Sequence, residues 1–284
     1  MNAPHSHQHP GAAQDGNGHV GHDGHGQRPA YVPDPRDETG IDPDIVNAQR
    51  HFSLQSVFRS GLPLPSEGRG ALVENLLEAL QSTGVTIRGW YDVAGFRADA
   101  DLLFWALADS PEKLQAAYHE IVRSQLGAHL EPVWSAMATH TPAEFNARHL
   151  PACFGGVAPR PYVAVYPFIR SWDWYYLPQS RRSAMLREHG MNGAGHMDVK
   201  VSTLSAFALG DYEWTIALEA DSIERIMSVL RKQRESEARL FVREDTPFFT
   251  GPRVELHEWA QRQASYADSG CECGQECCNG EKAL

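Results

Sequence analysis

Leu102-Leu103-Phe104-Trp105-Ala106-Leu107-Ala108-Asp109-Ser110-Pro111-Glu112 and Trp214-Thr215-Ile216-Ala217-Leu218-Glu219-Ala220-Asp221-Ser222-Ile223-Glu224 are two copies of one pattern, 112 residues apart. In each copy an apolar run of strand length ends at Asp-Ser, and a Glu follows two positions later. Ser before the first turn, with an acidic residue inside it, is a helix start. The spacing therefore predicts a buried strand running into a helix twice, with helices over about 111–125 and 222–239. The match extends upstream, where Asp99 corresponds to Asp211 and Asp101 to Glu213.

The flanking residues complete each copy in the same order. In the first, 51–59 reads as a strand, 66–82 as a helix, and 85–92 pairs with 101–108 as a hairpin. In the second, 162–169 is the strand and 178–189 the helix, and 199–208 pairs with 212–219 across Leu209-Gly210-Asp211. A β-α-β-β-α unit with alternating apolar residues is the ferredoxin-like pattern. The chain is thus predicted to be α+β, with one ferredoxin-like half over 45–150 and another over 151–262.

Outside this body the composition changes. Residues 1–44 place His5, His7, His9, His19, His22 and His25 among Gly, Pro, Asp and Gln, with little to bury, and read as a disordered tail. Residues 263–284 are also small and polar, and gather Cys271, Cys273, Cys277 and Cys278. Both tails carry side chains suited to zinc, copper(I) or nickel, although their spacings fit no closed zinc finger. Only Cys153 lies in the body, so no disulfide framework is built there.

With 25 Lys+Arg against 36 Asp+Glu, the net charge is -11. An acidic chain argues against nucleic acid and against anionic lipid, both of which are bound through surplus cations. The apolar runs are far shorter than the roughly 20 residues of a membrane span, and the N-terminus lacks a signal-peptide pattern. The expected setting is the cytoplasm.

Chemistry concentrates in the second half. Tyr166-Pro167-Phe168-Ile169-Arg170-Ser171-Trp172-Asp173-Trp174-Tyr175-Tyr176-Leu177-Pro178 packs aromatics around one Arg. It reads either as a core strand entering a helix or as a redox-active aromatic cluster beside a cofactor. In a strand, residues 166, 168 and 170 share one face, so Tyr166 and Arg170 point the same way. His189 before Gly190 is either a helix C-terminus with a left-handed Gly cap or an axial iron ligand. His149, in the connector, is either a surface residue or a general base. Arg170, Arg181, Arg182 and Arg187, with Arg231, Arg234, Arg239 and Arg243, either solvate helix faces or build a local site for a polycarboxylate.

Taken in order, Tyr166-Pro-Phe-Ile-Arg170-Ser-Trp-Asp-Trp174-Tyr, Glu188-His189-Gly190-Met191, Ser205 to Trp214, Glu237-Ala-Arg239 and Pro247-Phe-Phe-Thr-Gly251 resemble the chlorite-dismutase-like haem proteins. The resemblance covers about residues 45–255, excludes both tails, and is nearest to the actinobacterial type of coproheme-decarboxylating enzyme. It implies a dimeric α/β-barrel subunit, usually in a homopentamer. It also implies binding of iron coproporphyrin III (coproheme) as substrate and redox centre, with hydrogen peroxide converting two propionates to vinyls to give haem b.

Position by position, the resemblance makes Tyr166 the catalytic tyrosine and His189 the iron ligand. It makes His149 the distal base toward peroxide, Arg170 and Arg239 propionate-binding residues, and Trp174 an aromatic lining the substrate. Val201 falls where chlorite dismutases carry a distal Arg, which counts against chlorite. A coproporphyrin ferrochelatase is the implied donor. Two rivals remain: a chlorite-degrading or general haem peroxidase of the same fold, and a haem or metal carrier working through its tails.

Overall fold

In the computed structural model, which describes residues 33–142 and 146–266, the first half has one strand more than the repeat predicts and the second half two. The first half runs β1 (Phe52–Ser60), α2 (Arg69–Ser82), β2 (Thr86–Asp92), β3 (Leu102–Ala108), α3 (Pro111–Arg123) and β4 (Leu130–Thr139), after a short α1 (Pro43–Asn47). The second runs β5 (Tyr162–Arg170), α4 (Trp172–Tyr176), α5 (Gln179–Gly193), β6 (Lys200–Ser205), β7 (Trp214–Ala220), α6 (Ile223–Gln233), β8 (Val242–Glu244) and β9 (Phe249–Val254). A last helix, α7 (Leu256–Arg262), follows. The fold is α+β with a large antiparallel sheet, as expected.

Strand order is β4-β1-β3-β2 in the first half and β6-β7-β5-β9 in the second, so the halves have equivalent topology. They meet at two seams. β2 pairs with β9 through Trp90↔Val254 and Tyr91↔Arg253, and β4 with β6 through Thr139↔Ser205. Eight strands therefore close into a ring, with β8 lying beside β5 at Ile169 and Arg170. At the first seam Gly251 is required, because a Cβ there would lie 1.9 Å from the carbonyl oxygen of Asp92.

Alternation along the strands makes two kinds of core. Leu103, Trp105 and Leu107 of β3, with Val163 and Val165 of β5, point into the ring. Leu102, Phe104 and Ala106 point out under the helices, as do Ala164 and Tyr166. Inside the ring, Arg88 of β2 forms a buried ion pair with Glu219 of β7 at 2.7 Å, and its guanidinium lies over Trp105. Removing one partner of such a pair would strand a buried charge, so it ties one half to the other.

The helix starts agree with the repeat, but the ends differ. Ser110 caps α3 by accepting from the Lys113 N–H, whereas Ser222 makes no side-chain cap bond to α6. The second helix stops at Gln233 and a separate 3-10 turn covers Glu237–Phe241. Helix α5 runs past Gly190 to Gly193, so Gly190 is not the left-handed cap expected after His189.

Both domain limits shift. Residues 33–44, assigned to the tail, carry α1's start and a strap in which Asp37 pairs with the buried Arg160 at 2.6 Å and Arg36 pairs with Asp221. At the other end, α7 packs into the first half's helix layer through Leu256, Trp259 and Ala260. Ser265 bridges to Leu64. The His-rich and Cys-rich segments themselves lie outside the described residues. No described helix is long and apolar enough to cross a membrane.

Candidate functional site

β5 carries Tyr166 and Arg170 on its helix-facing side. The strand contains Pro167, which has no N–H to give a ladder. Partnering on one flank is interrupted there, since Val165 faces Phe249 of β9 and Ile169 faces Glu244 of β8. Such an interruption is where a sheet accepts proline. Tyr166 is 7% exposed and its ring stacks on Phe248 at 4.4 Å. Burial holds the phenol well above its ordinary pKa, so it keeps its O–H at neutral pH. Its hydroxyl has no protein partner among the described residues.

Arg170 is fixed from three sides. Its backbone N–H donates to Glu213 Oε2 at 2.8 Å, and its guanidinium donates to the Ala238 carbonyl at 3.3 Å. The guanidinium plane also lies over Trp174 at 3.9 Å and Phe168 at 4.6 Å, both attractive cation–π geometries. Among the described residues no carboxylate forms an ion pair with it. Burial pushes its pKa down to about 10. A largely desolvated cation without a counter-ion is costly, and a ligand carboxylate would relieve that cost.

His189 of α5 is half-buried, and its Nδ1 lies 3.3 Å from Ser236 Oγ. The Ser236 hydroxyl donates its one proton to the Gln233 carbonyl at 2.9 Å. Toward His189 that oxygen can only accept, which puts the imidazole proton on Nδ1 and the free lone pair on Nε2. Burial, reinforced by the Arg170 charge, lowers the His189 pKa. The result is a neutral imidazole with an available nitrogen, the one protein donor that a haem-type iron needs.

Trp174 is buried against Met185, Ala238 and Phe241. Arg239, at the 3-10 turn, pairs with Asp245 at 2.6 Å. Val201 of β6 faces Leu218 and packs against the cluster that holds Tyr166. The structure thus gathers Tyr166, Arg170, Trp174, His189, Arg239 and Val201 in the layer between the second half's strands and helices. His149 is not gathered with them. It is exposed on the loop after β4, with its backbone N–H donating to the Asn146 carbonyl, and no described contact links it to Tyr166 or His189.

Glu213, Ser236 and Asp245 support the site, and the sequence did not single them out. Glu213 was visible only as a repeat position, matching Asp101. Its carboxylate takes the Arg170 N–H and the Tyr175 hydroxyl together, at 2.8 and 2.6 Å.

The residues matched by the family model described as chlorite dismutase are 69–254. The chain is 45% identical over 220 residues to the coproheme decarboxylase of Mycolicibacterium smegmatis, covering 76% of this chain and 95% of that protein. It is 23% identical over 211 residues to the coproheme decarboxylase of Staphylococcus saprophyticus, covering 66% and 84%. Among solved structures, a point mutant of chlorite dismutase from Candidatus Nitrospira defluvii superposes with a TM-score of 0.67 at 20% identity, over 74% of this chain and 94% of that one.

Proposed function

The chain belongs to the chlorite dismutase family, and from that premise we propose that it is an oxidoreductase that decarboxylates coproheme to haem b. The observation that carries this reading is Arg170: its half-buried guanidinium lies over Trp174 and Phe168 and forms no ion pair among the described residues, on the strand that carries the buried Tyr166. Coproheme brings four propionates to a protein of net charge -11, so local guanidinium groups are what such a ligand requires.

His189 Nε2 would hold the iron, with Ser236 fixing the ring's tautomer. When bound, the iron porphyrin supplies the one-electron redox chemistry. For each propionate converted to a vinyl, carbon dioxide leaves and two electrons pass to one hydrogen peroxide, which ends as two waters. Tyr166 gives up its phenolic hydrogen and takes one from the propionate side chain. Arg170 and Arg239 hold carboxylates, and Trp174 excludes water along one side. His149 accepts a proton from peroxide, a role supported by its place in the sequence pattern alone. The apolar Val201, packed against the same cluster as Tyr166, offers no guanidinium for chlorite. On the same family likeness we assign a homopentamer, a cytoplasmic setting and a coproporphyrin ferrochelatase as donor.

The decisive experiment adds iron coproporphyrin III to the purified full chain, titrates peroxide and follows products by mass spectrometry. Stepwise loss of two carboxyl groups to haem b is the expected result. Bleaching of the porphyrin without any monovinyl or divinyl product would overturn the reading. His149→Ala should slow the reaction with peroxide while leaving coproheme affinity nearly unchanged.

A further inference from the structure

Asp245 lies on the link between β8 and β9. The strand registers place that link beside the reacting tyrosine: Glu244 is opposite Ile169 and Phe249 opposite Val165, so residues 245–248 run alongside 166–168. Phe248, at the end of the link, stacks on the Tyr166 ring. One oxygen of Asp245, Oδ2, accepts from Arg234 at 2.8 Å and from Arg239 at 2.6 Å.

Two guanidinium groups on one carboxylate oxygen repel each other and leave a net charge of +1. Asp245 is 15% exposed, whereas Arg234 and Arg239 are 39% and 37% exposed. Among the described residues neither guanidinium makes another hydrogen bond, and a guanidinium has five N–H donors. The Asp therefore holds the pair together from the buried side and leaves donors unused.

The geometry points to a carboxylate seat formed by Arg234 and Arg239 on Asp245, which takes the propionate on which Tyr166 acts. In it Asp245 is a positioning residue, and Arg234 is a substrate-binding residue additional to Arg170 and Arg239. This rests on the coproheme reading and adds a specificity to it. A seat beside Tyr166 is filled by the substrate and left empty once that propionate has become a vinyl. The protein should then hold coproheme more tightly than its own product, and product should leave.

Visible-absorbance titration of the full chain with iron coproporphyrin III and with haem b tests this. The parent should prefer coproheme by about tenfold or more, the order expected for one charge-assisted pair. Arg234→Gln stands at the exposed end of α6 and should remove most of that preference, weakening coproheme while leaving haem b within about twofold, since only a seat contact is lost. Asp245→Asn should also narrow the preference, because the guanidinium groups are no longer held together, and Asp245→Glu should restore part of it. If positive charge alone mattered, Asp245→Asn would widen the preference instead.

An unchanged preference in Arg234→Gln, or a widened one in Asp245→Asn, would overturn the seat. Should Asp245→Asn fail to fold, Arg234→Gln decides alone. A parent that prefers coproheme yet makes no haem b with peroxide would remove the proposed reaction and leave the seat. Haem b made normally by a parent without any preference would remove the seat and leave the reaction.

Discussion

The two halves share a topology and differ in what lies between sheet and helices. In the first, Leu54, Phe58, Leu76, Leu80, Phe104 and Leu114 belong to one continuous apolar cluster, which α7 completes with Trp259. In the second, the corresponding layer splits into a cluster around Ala164, Tyr166 and Ile226 and another around Trp174 and Met185. The registers align the copies: Ser56 faces Phe104 on β3 as Tyr166 faces Ile216 on β7. A small buried Ser in one half is thus the redox-capable Tyr of the other. One copy is packed as a core, and the other keeps its polar groups where a flat ligand would lie. Equivalent backbone does not imply equivalent use of the layer.

If that division is right, substitutions should separate stability from activity by half. Tyr166→Phe keeps the stacked ring and removes only the O–H, so thermal stability should hardly move. Decarboxylation should drop by about 10²–10⁴-fold, the range for losing a positioned hydrogen-transfer group. Haem b formation near the parent rate would remove Tyr166 from the chemistry. Phe104→Ala, in the equivalent layer of the first half, should do the reverse. A fully buried ring is lost, costing about 3–5 kcal/mol in urea unfolding, while the turnover of the remaining folded protein stays close to normal.

Arg170→Ala comes next. Loss of its contact to a ligand carboxylate should weaken coproheme binding by about 1.5–3 kcal/mol, with slow residual turnover. An unchanged dissociation constant would show that the unpaired guanidinium serves packing alone.

A pH titration sharpens the picture of His189. Its pKa in the folded protein is lowered from 6.5, so the neutral ring persists as pH falls to that ordinary value and somewhat below. Coproheme affinity should therefore be flat from pH 8 to about 6.5 and decline only at lower pH. The stability contributed by the neutral ring is present above 6.5 and is lost as pH falls through the lowered value. In His189→Ala the low-pH limb of the binding curve should disappear. The smallest effect separates the two helix starts. Ser110→Ala should cost about 1 kcal/mol, a normal cap loss, and Ser222→Ala clearly less, since only Ser110 makes the cap bond.

Local chemistry made the repeat legible. Apolar alternation and an Asp-Ser helix start are written within a dozen residues, and both hairpins formed where expected. β4 and β9 escaped because Glu131-Pro132 and Gly251-Pro252-Arg253 interrupt the alternation that marks a strand. The strap at 33–44 escaped for another reason: Asp37 finds Arg160, and Arg36 finds Asp221, only after folding.

Within the site, one strand's period aligned Tyr166 with Arg170. Nothing in sequence spacing announces that Ser236 would orient His189 across 47 positions. The same holds for Glu213, 43 positions from Arg170. Such partners are chosen by packing, so a single sequence read for local pattern passes over them.

The placement of α7 bears on how this chain can be made and cut. A helix written at 256–262 finishes the core of a half written two hundred residues earlier, and β9, just before it, seals the ring against β2. During synthesis the early half must wait, with Leu76 and Phe104 lacking their final cover, until almost all of the described chain has emerged. The duplicated text therefore cannot be divided at its own boundary: neither copy carries everything its fold needs, and the two act as one cooperative unit.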